Sequence, residues 1–217
     1  MTATLALFPL EMVVFPTEIL PLHIFEKRYQ ELISDCKNDN ITFGIPAYIN
    51  NEMSHGTEVR LKKVDKRYPN GASDVICEGL RSFAIRTFNP TLGDKLYAGG
   101  EVEFLDNIND GTPSQKRRFY TLVKTLYEAL DVVLPVFDPI LVNSFSFAHK
   151  IGLSLEQELS LLQMRQESER FAFIIDHLSV TIPVIQQINR TKELIQLNGH
   201  FKNFDPLDFS EYKIKDQ

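Results

Sequence analysis

Histidines are the side chains of this sequence that could most readily bind a metal ion or act as a general base. The chain has five, and no two have the spacing of a zinc motif: His23, His55, His149, His177 and His200. A Ser–Lys or Cys–His pair could still assemble from residues that are distant in sequence, but no local motif points to one. The sequence therefore predicts no metal site and no catalytic residue, and each histidine is interpreted as a surface residue or a hydrogen-bonded core residue.

Motifs that bind nucleotides or carry a nucleophile are absent from the sequence. It contains no G-x-x-x-x-G-K-[ST] loop, no G-x-G-x-x-G turn, no G-x-S-x-G elbow and no H-E-x-x-H helix. Paired carboxylates occur throughout this acidic chain, so their presence does not distinguish a catalytic site from an ordinary surface. We expect no nucleotide or other cofactor, and the residues alone give no evidence for catalysis.

Composition and charge limit the possible partners and the cellular location. At 217 residues and 43% hydrophobic content, the chain can bury one substantial core or two small ones. A net charge of -6 argues against nucleic acid, whose phosphates are bound by clustered Lys and Arg. The tightest basic run, Lys116 to Arg118, fits the solvated face of a helix start. Two distant cysteines, Cys36 and Cys77, are expected to be buried and unpaired, and without a signal peptide we expect a cytoplasmic location.

Residues 7–29 read LFPLEMVVFPTEILPLHIFEKRY, and three prolines divide this apolar stretch into short pieces. Each proline costs about 3 kcal/mol inside a helix, so the stretch fits neither a membrane span nor the unbroken core of a signal peptide. The pieces Met12–Phe15 and Ile19–Leu20 are predicted to be short strands that end at Pro16 and Pro21. A helix is predicted to open near Glu26, with one apolar face made by Tyr29, Leu32, Ile33 and Cys36.

The chain divides into a strand-rich first half and a helical second half. Short β-branched and aromatic runs predict strands up to Phe104, with a bulge or bend at Glu78-Gly79. The polar run Asp106–Gly111 is interpreted as a linker. We therefore predict an α+β fold with a β subdomain over 1–108, which contains one helix after Phe25, a helical subdomain over 109–200 and an extended tail over 201–217.

Helix starts in the second half are marked by capping residues. Thr112 and Ser154 each stand three residues before a Gln, which is the pattern of a capping box. Asp138-Pro139 predicts a further helix, which ends at Gly152. The last helical run begins near Glu167, and Pro183 is predicted to break or kink it.

The order of short motifs resembles the Lon N-terminal domain family, the substrate-binding region of ATP-dependent Lon proteases. The matching stretches are Leu7-Phe8-Pro9-Leu10, Val14-Phe15-Pro16, Leu20-Pro21-Leu22, Ile24-Phe25-Glu26-Lys27-Arg28-Tyr29, Phe43-Gly44-Ile45, Gly56-Thr57-Glu58-Val59 and Glu78-Gly79-Leu80-Arg81-Ser82-Phe83. The resemblance implies a PUA-like β pseudo-barrel followed by a helical bundle, in a stand-alone bacterial-type member that lacks Lon's ATPase and Ser-Lys protease domains.

One position departs from the family pattern. The family usually has Gly after the Phe-Pro pair, where this chain has Thr17. A β-branched residue resists positive φ, so we expect the turn at Pro16 to differ locally from the common form.

The resemblance implies a non-catalytic module that binds unfolded polypeptide segments or a partner protein. The net charge argues against nucleic acid as a partner, and the prolines of residues 7–29 argue against a membrane. Such a module would combine an exposed sheet edge with an apolar pocket. Phe15, Ile19 and Leu20 border the proline turns and are the candidate peptide-binding residues; the alternative is that all three belong to the core. Two other functions stay open, an RNA-binding module by analogy with PUA-like folds and a hydrolase with an unrecognised site.

Overall fold

The structure is a computed structural model that describes residues 2–135, 138 and 142–202. It contains six strands: β1 Thr2–Leu7, β2 Ile19–Ile24, β3 Phe43–Ile49, β4 Glu52–Arg67, β5 Ser73–Ile85 and β6 Ala98–Phe104. The helices are α1 Lys27–Asp39, α2 Pro113–Ala129, the 3-10 helix Ser144–Lys150, α3 Leu155–Gln163 and α4 Glu167–Lys202. The predicted tail lies outside the described residues from residue 203 onward.

Five strands form a closed barrel, and the sixth lies along its outside. The order β5-β4-β3-β1-β6 is closed by pairing of β6 with the end of β5, and β1 runs parallel to β3 while the other pairs are antiparallel. β2 pairs with the first half of β5, and in the described part of the chain its other edge has no strand neighbour. The predicted α+β fold, a β pseudo-barrel followed by helices, is thus confirmed.

Two strand predictions in the proline-rich stretch are wrong. Residues 12–15 form no strand, although Val13, Val14 and Phe15 are buried. β2 begins at Ile19 as predicted, but it continues through Pro21 to Ile24. Proline lacks an N–H group, and an edge strand tolerates this because half of its backbone groups face away from the sheet.

Helix α1 follows its predicted pattern. Glu26 is the N-cap residue, and the buried face consists of Tyr29, Leu32, Ile33 and Cys36. This face shares a core cluster with Phe43, Val59, Val75 and Cys77 of the barrel strands.

The helical half has its own core, to which the first half contributes. Val13, Phe15, Ala47 and Ile49 pack in one cluster with buried residues of α2, the 3-10 helix, α3 and α4. Phe15 is the largest residue that the barrel side contributes to this cluster. The two halves therefore share an apolar contact, while the domain boundary at residue 108 stays a prediction.

Residues 106–110 are exposed, yet the predicted linker is fastened to the start of α4. The N–H of Ile108 donates to the carbonyl of Arg165 at 2.9 Å, and the Ile108 carbonyl accepts from the N–H of Glu167 at 2.9 Å. Asp110 accepts from the N–H and the hydroxyl of Ser168 at 2.8 and 2.7 Å. The connection is therefore part of the folded unit.

Both predicted capping boxes are confirmed, at Thr112 for α2 and at Ser154 for α3. The helix predicted from Asp138-Pro139 is observed from Ser144 as a 3-10 helix, which Asn143 caps by accepting from two N–H groups. Residues 139–141 lie outside the described residues.

Helix α4 runs past Pro183 without a break, so of the two predicted effects of this proline the break is not observed and the kink stays a prediction. By length and composition alone, its segment Glu167–Leu197 is the one helix in the described ranges that could cross a membrane. Its first half is built into the helical core through Phe171, Ile174, Leu178 and Ile182. One face of the helix is thus part of the helical core, and 28% of the apolar window is buried.

Candidate functional site

The turn at Pro16 has the conformation that a glycine would favour. The N–H of Glu18 donates to the Phe15 carbonyl at 3.2 Å, Pro16 holds the second position, and Thr17 at the third has φ of 69°. A type II turn requires a positive φ at that third position. The expectation that Thr17 would avoid this conformation is therefore wrong, and the chain holds a β-branched residue in a strained backbone region.

Gly79 of β5 holds this turn in place. Its carbonyl accepts from the N–H of Thr17 at 2.9 Å, and its own N–H donates to the Glu18 carbonyl at 2.8 Å. A Cβ at this position would lie 2.1 Å from the Phe15 carbonyl oxygen, so only glycine fits. The β4–β5 register shifts opposite Gly79, which confirms the irregularity predicted at Glu78-Gly79.

A cleft of about 370 Å³ opens between this turn and the 3-10 helix, and we call it the junction groove. It is lined by residues 15–19 from the barrel side and by Phe145, Ser146, His149 and Lys150 from the helical side. A second cleft of about 270 Å³ lies beside it and shares Pro16, Thr17 and Phe145. The strained turn thus stands between two adjacent depressions at the junction of the two halves.

Aromatic rings form the floor of the junction groove. The ring of Phe15 stacks on that of Phe145 at 5.1 Å between centroids and lies 4.9 Å from the imidazole of His149. The guanidinium of Arg170 lies 4.6 Å from the ring of Phe145. Phe15 and Phe145 also belong to the helical core, and both are buried, so only a small part of either ring faces the groove.

A chain of three charged side chains crosses one wall of the groove. His149 Nε2 lies 3.2 Å from Glu18 Oε2, and His149 Nδ1 lies 2.8 Å from Glu158 Oε1. The same Glu18 oxygen accepts from the N–H of Phe15 at 2.8 Å. Hydrogen bonds from Glu158 and Glu18 raise the pKa of His149 to about 9, and the imidazole is therefore charged near neutral pH. This link ties the Pro16 turn to the 3-10 helix and to α3.

The arrangement around His149 does not suit catalysis. A general base needs a neutral imidazole with a free nitrogen, whereas both nitrogens here contact carboxylates and the ring is charged. Ser146, the hydroxyl residue beside it, donates to Asn143. Within the described ranges, no group of three or more His, Cys, Asp or Glu residues is placed to hold a metal ion.

The structure separates the three predicted peptide-binding residues. Phe15 is 1% exposed and forms part of the groove floor, and Ile19 is 54% exposed at the groove rim. Leu20 is 6% exposed and packs in the barrel core. Two of the three therefore meet in one groove, and their role in binding stays a prediction.

Sequence reasoning missed the residues of the helical side, above all His149 and its two carboxylates. Glu18 and His149 are 131 residues apart, and no local pattern signals a contact over that distance. The start of the 3-10 helix is marked locally by Asn143, whose side chain accepts from the N–H groups of Phe145 and Ser146.

Comparisons with known proteins agree with this architecture. Residues 4–194 match the family described as the ATP-dependent protease La (LON) substrate-binding domain. A Lon N-terminal domain protein from Xanthomonas campestris is similar at 26% identity and a TM-score of 0.62, over 80% of this chain and 98% of that one. The chain is also similar to the N-terminal domain of a Mycobacterium avium complex Lon protease, with a TM-score of 0.58 over 82% of this chain and 98% of that one. The sequence identity is 17%, so this second likeness concerns the fold alone. A comparison with curated proteins gives no match. Because the family match extends over nearly the whole chain, this protein belongs to the Lon substrate-binding domain family.

Proposed function

We propose that this chain is a non-catalytic module that binds an extended polypeptide segment, from an unfolded chain or a partner protein, in the junction groove. The observation that carries the proposal is the open groove with an aromatic floor, placed beside a free strand edge in a member of a substrate-binding family. Apolar side chains of the bound segment would enter the groove and contact mainly Ile19 at its rim, above the buried rings of Phe15 and Phe145.

The free edge of β2 provides the second half of the binding mode. An extended segment can add to such an edge through backbone hydrogen bonds, while pockets beside the edge select its side chains. Ile19 is the first residue of β2 and also lines the groove, so it joins the two surfaces. Pro21 offers no N–H donor, and a segment would therefore pair with this edge irregularly.

The charges around the groove favour polypeptide over nucleic acid. Glu18 and Glu158 flank His149, and in the neighbouring cleft Glu167 is paired with Arg170 at 2.7 Å. Such paired charges offer little attraction to phosphates, and Lys150 adds one cation to the groove where phosphate binding draws on clusters of cations. The RNA-binding alternative rests on fold analogy alone, and fold analogy is a weak argument for function.

The non-catalytic assignment is supported by the extent of the family match and by the state of His149. The match over residues 4–194 is to a substrate-binding domain and includes no ATPase or protease domain. The hydrolase alternative would need a free base beside a nucleophile, and His149 has neither nitrogen free. The cytoplasmic location stays a prediction.

The salt dependence of binding distinguishes a polypeptide-binding module from an RNA-binding module. A labelled unfolded protein and a labelled single-stranded RNA would each be titrated with the chain at 50 and 200 mM salt, with fluorescence anisotropy as the readout. We expect weak binding of the polypeptide that changes by less than about threefold, because the contact is mainly apolar. Absence of polypeptide binding, or RNA binding that falls steeply with salt, would contradict the proposal. ATP-dependent degradation of the unfolded protein by the purified chain would contradict its non-catalytic part.

A further inference from the structure

The second cleft, which lies beside the junction groove, is lined by several side-chain amides, and we call it the amide cleft. Asn107 and Asn109 line it from the linker, Asn143 from the cap of the 3-10 helix, and Lys116 from α2. An asparagine side chain can donate through Nδ2 or accept through Oδ1. The direction in which each amide points therefore decides which ligand the cleft fits.

The contacts of two asparagines fix the direction of their amides. Asn107 Oδ1 accepts from Arg170 Nη2 at 2.6 Å, and a guanidinium can only donate. Asn143 Oδ1 accepts from two backbone N–H groups at the start of the 3-10 helix, each at 3.0 Å. In both side chains the oxygen is thus engaged, while the Nδ2 group has no acceptor among the described residues. Asn109 forms no side-chain hydrogen bond within the same ranges, so the cleft offers amide donors from all three asparagines.

The charges that line the amide cleft favour an anion with one negative charge. Glu167 and Arg170 are 3% and 2% exposed and are paired at 2.7 Å, so their charges neutralise each other. The Glu167 carboxylate also accepts from the N–H and the hydroxyl of Ser144, both at 2.7 Å, and is therefore turned toward the interior. Lys116 adds a positive charge that is in excess over the acids of the lining. Neutral amides with one such cation suit a single carboxylate, whereas a run of phosphates draws on clusters of cations.

We propose that the amide cleft binds a carboxylate of the polypeptide segment whose apolar side chain occupies the junction groove. The carboxylate is that of an Asp or Glu side chain or that of the C-terminus. This inference rests on the proposed function, because it assigns a second subsite to the same ligand. An ionised carboxylate presents acceptors only, and it binds amide N–H groups and an ammonium group through charge-assisted hydrogen bonds.

The two clefts are placed so that one segment can occupy both. They share Pro16, Thr17 and Phe145, so the Pro16 turn is the wall between them. The hydrogen bonds between this turn and Gly79 hold the wall in place. In an extended segment, alternate side chains point to the same side and are about 7 Å apart. We therefore expect the carboxylate to lie two to four residues from the apolar side chain that enters the junction groove.

A set of short labelled peptides tests the inference by fluorescence anisotropy. All have the same central Leu-Phe pair in a Gly-Ser background with blocked ends, and one Glu is placed in turn two, three or four residues away on either side. The matched peptides have Gln at the same positions, and one further peptide has a free C-terminal carboxylate in place of the Glu. We expect at least one Glu peptide, or the peptide with the free C-terminus, to bind about tenfold more tightly than its neutral match. The peptide that shows the preference identifies the source of the carboxylate.

The variant Asn109→Asp tests whether the preference arises in the amide cleft. It replaces an amide donor by a carboxylate of the same shape, which repels the carboxylate of the ligand. Asn109 is exposed, so the variant is expected to fold. The ratio of the affinities for the charged peptide and its neutral match should fall to about one or below. The matched control is Asn38→Asp, which makes the same change at an exposed asparagine of α1 that lines neither cleft and should keep the preference.

The outcomes separate the failure of this inference from the failure of the proposed function. Equal affinities for the charged peptides and their neutral matches would overturn the carboxylate subsite and leave binding in the junction groove intact. A preference that Asn109→Asp retains, or that Asn38→Asp removes equally, would place the carboxylate outside the amide cleft. Absence of binding by every peptide would contradict the proposed function, and this inference would fall with it.

Discussion

Removal of the His149 link should change how stability depends on pH. In the folded chain the imidazole lies between Glu18 and Glu158, and its pKa is raised from 6.5 to about 9. A group whose folded pKa is raised contributes stability that is fully present below its unfolded pKa and is lost as the pH rises through the folded value. The contribution of His149 is therefore complete below pH 6.5 and disappears between about pH 6.5 and pH 9.

The magnitude follows from the size of the pKa rise and from the exposure of the ring. An increase from 6.5 to about 9 corresponds to about 3 kcal/mol at 1.36 kcal/mol per pH unit. The His149 side chain is 35% exposed, and solvent screening reduces the interaction of such a pair. We therefore expect about 1–2 kcal/mol of stability at pH 6 to come from this link.

The measurement is urea unfolding of the unmodified chain and of His149→Gln at pH 6.0, 7.5 and about 9.5. The difference in unfolding free energy between the two proteins should fall by about 1–2 kcal/mol from the lowest to the highest pH. Lys150→Gln is the matched control, because it removes the neighbouring positive charge of the groove and leaves the link to both carboxylates intact. A difference between the chain and His149→Gln that stays constant across this range would refute the reasoning, as would an equal pH effect in the control.

Three further substitutions test the turn and the buried polar contacts by urea unfolding. Thr17→Gly should stabilise the chain by about 1 kcal/mol because it removes the strain of a β-branched residue at positive φ, and an unchanged or lower stability would contradict that assignment. Gly79→Ala should destabilise by at least about 2 kcal/mol, since its Cβ would lie 2.1 Å from the Phe15 carbonyl oxygen, and a neutral result would show that the turn can move away. Arg170→Met should cost about 3–5 kcal/mol because it leaves the buried carboxylate of Glu167 without its cation, and a loss below about 1 kcal/mol would contradict the role of this pair.

Much of the fold could be predicted from the sequence because it depends on contacts between residues that are close together in the chain. The capping boxes at Thr112 and Ser154 bond residues three apart, and the apolar face of α1 follows from helical spacing alone. The Glu78-Gly79 irregularity was legible because a glycine inside a strand pattern marks a close backbone approach. In the structure this approach is the contact with the Phe15 carbonyl.

The features that sequence reasoning missed depend on tertiary contacts. Whether a strand continues through Pro21 depends on its place in the sheet, and only the structure shows that β2 is an edge. Thr17 keeps a positive φ because the hydrogen bonds that Thr17 and Glu18 form with Gly79 fix the turn more strongly than the side-chain preference of Thr17 opposes it. The link between Glu18 and His149 joins the two halves of the chain, and its effect on the imidazole pKa exists only after folding.

The most direct test of the proposed function measures polypeptide affinity after one change at the rim of the junction groove. Ile19→Asp places a carboxylate beside the aromatic floor, and at 54% exposure this residue can be changed with little effect on folding. Leu96→Asp is the matched control, because Leu96 is a 59% exposed apolar residue that does not line the groove. In titrations of a labelled unfolded protein, Ile19→Asp should weaken binding at least about tenfold, or about 1.4 kcal/mol, while the control changes it by less than about twofold. Equal affinities for the two variants, with both folded, would contradict binding in the junction groove.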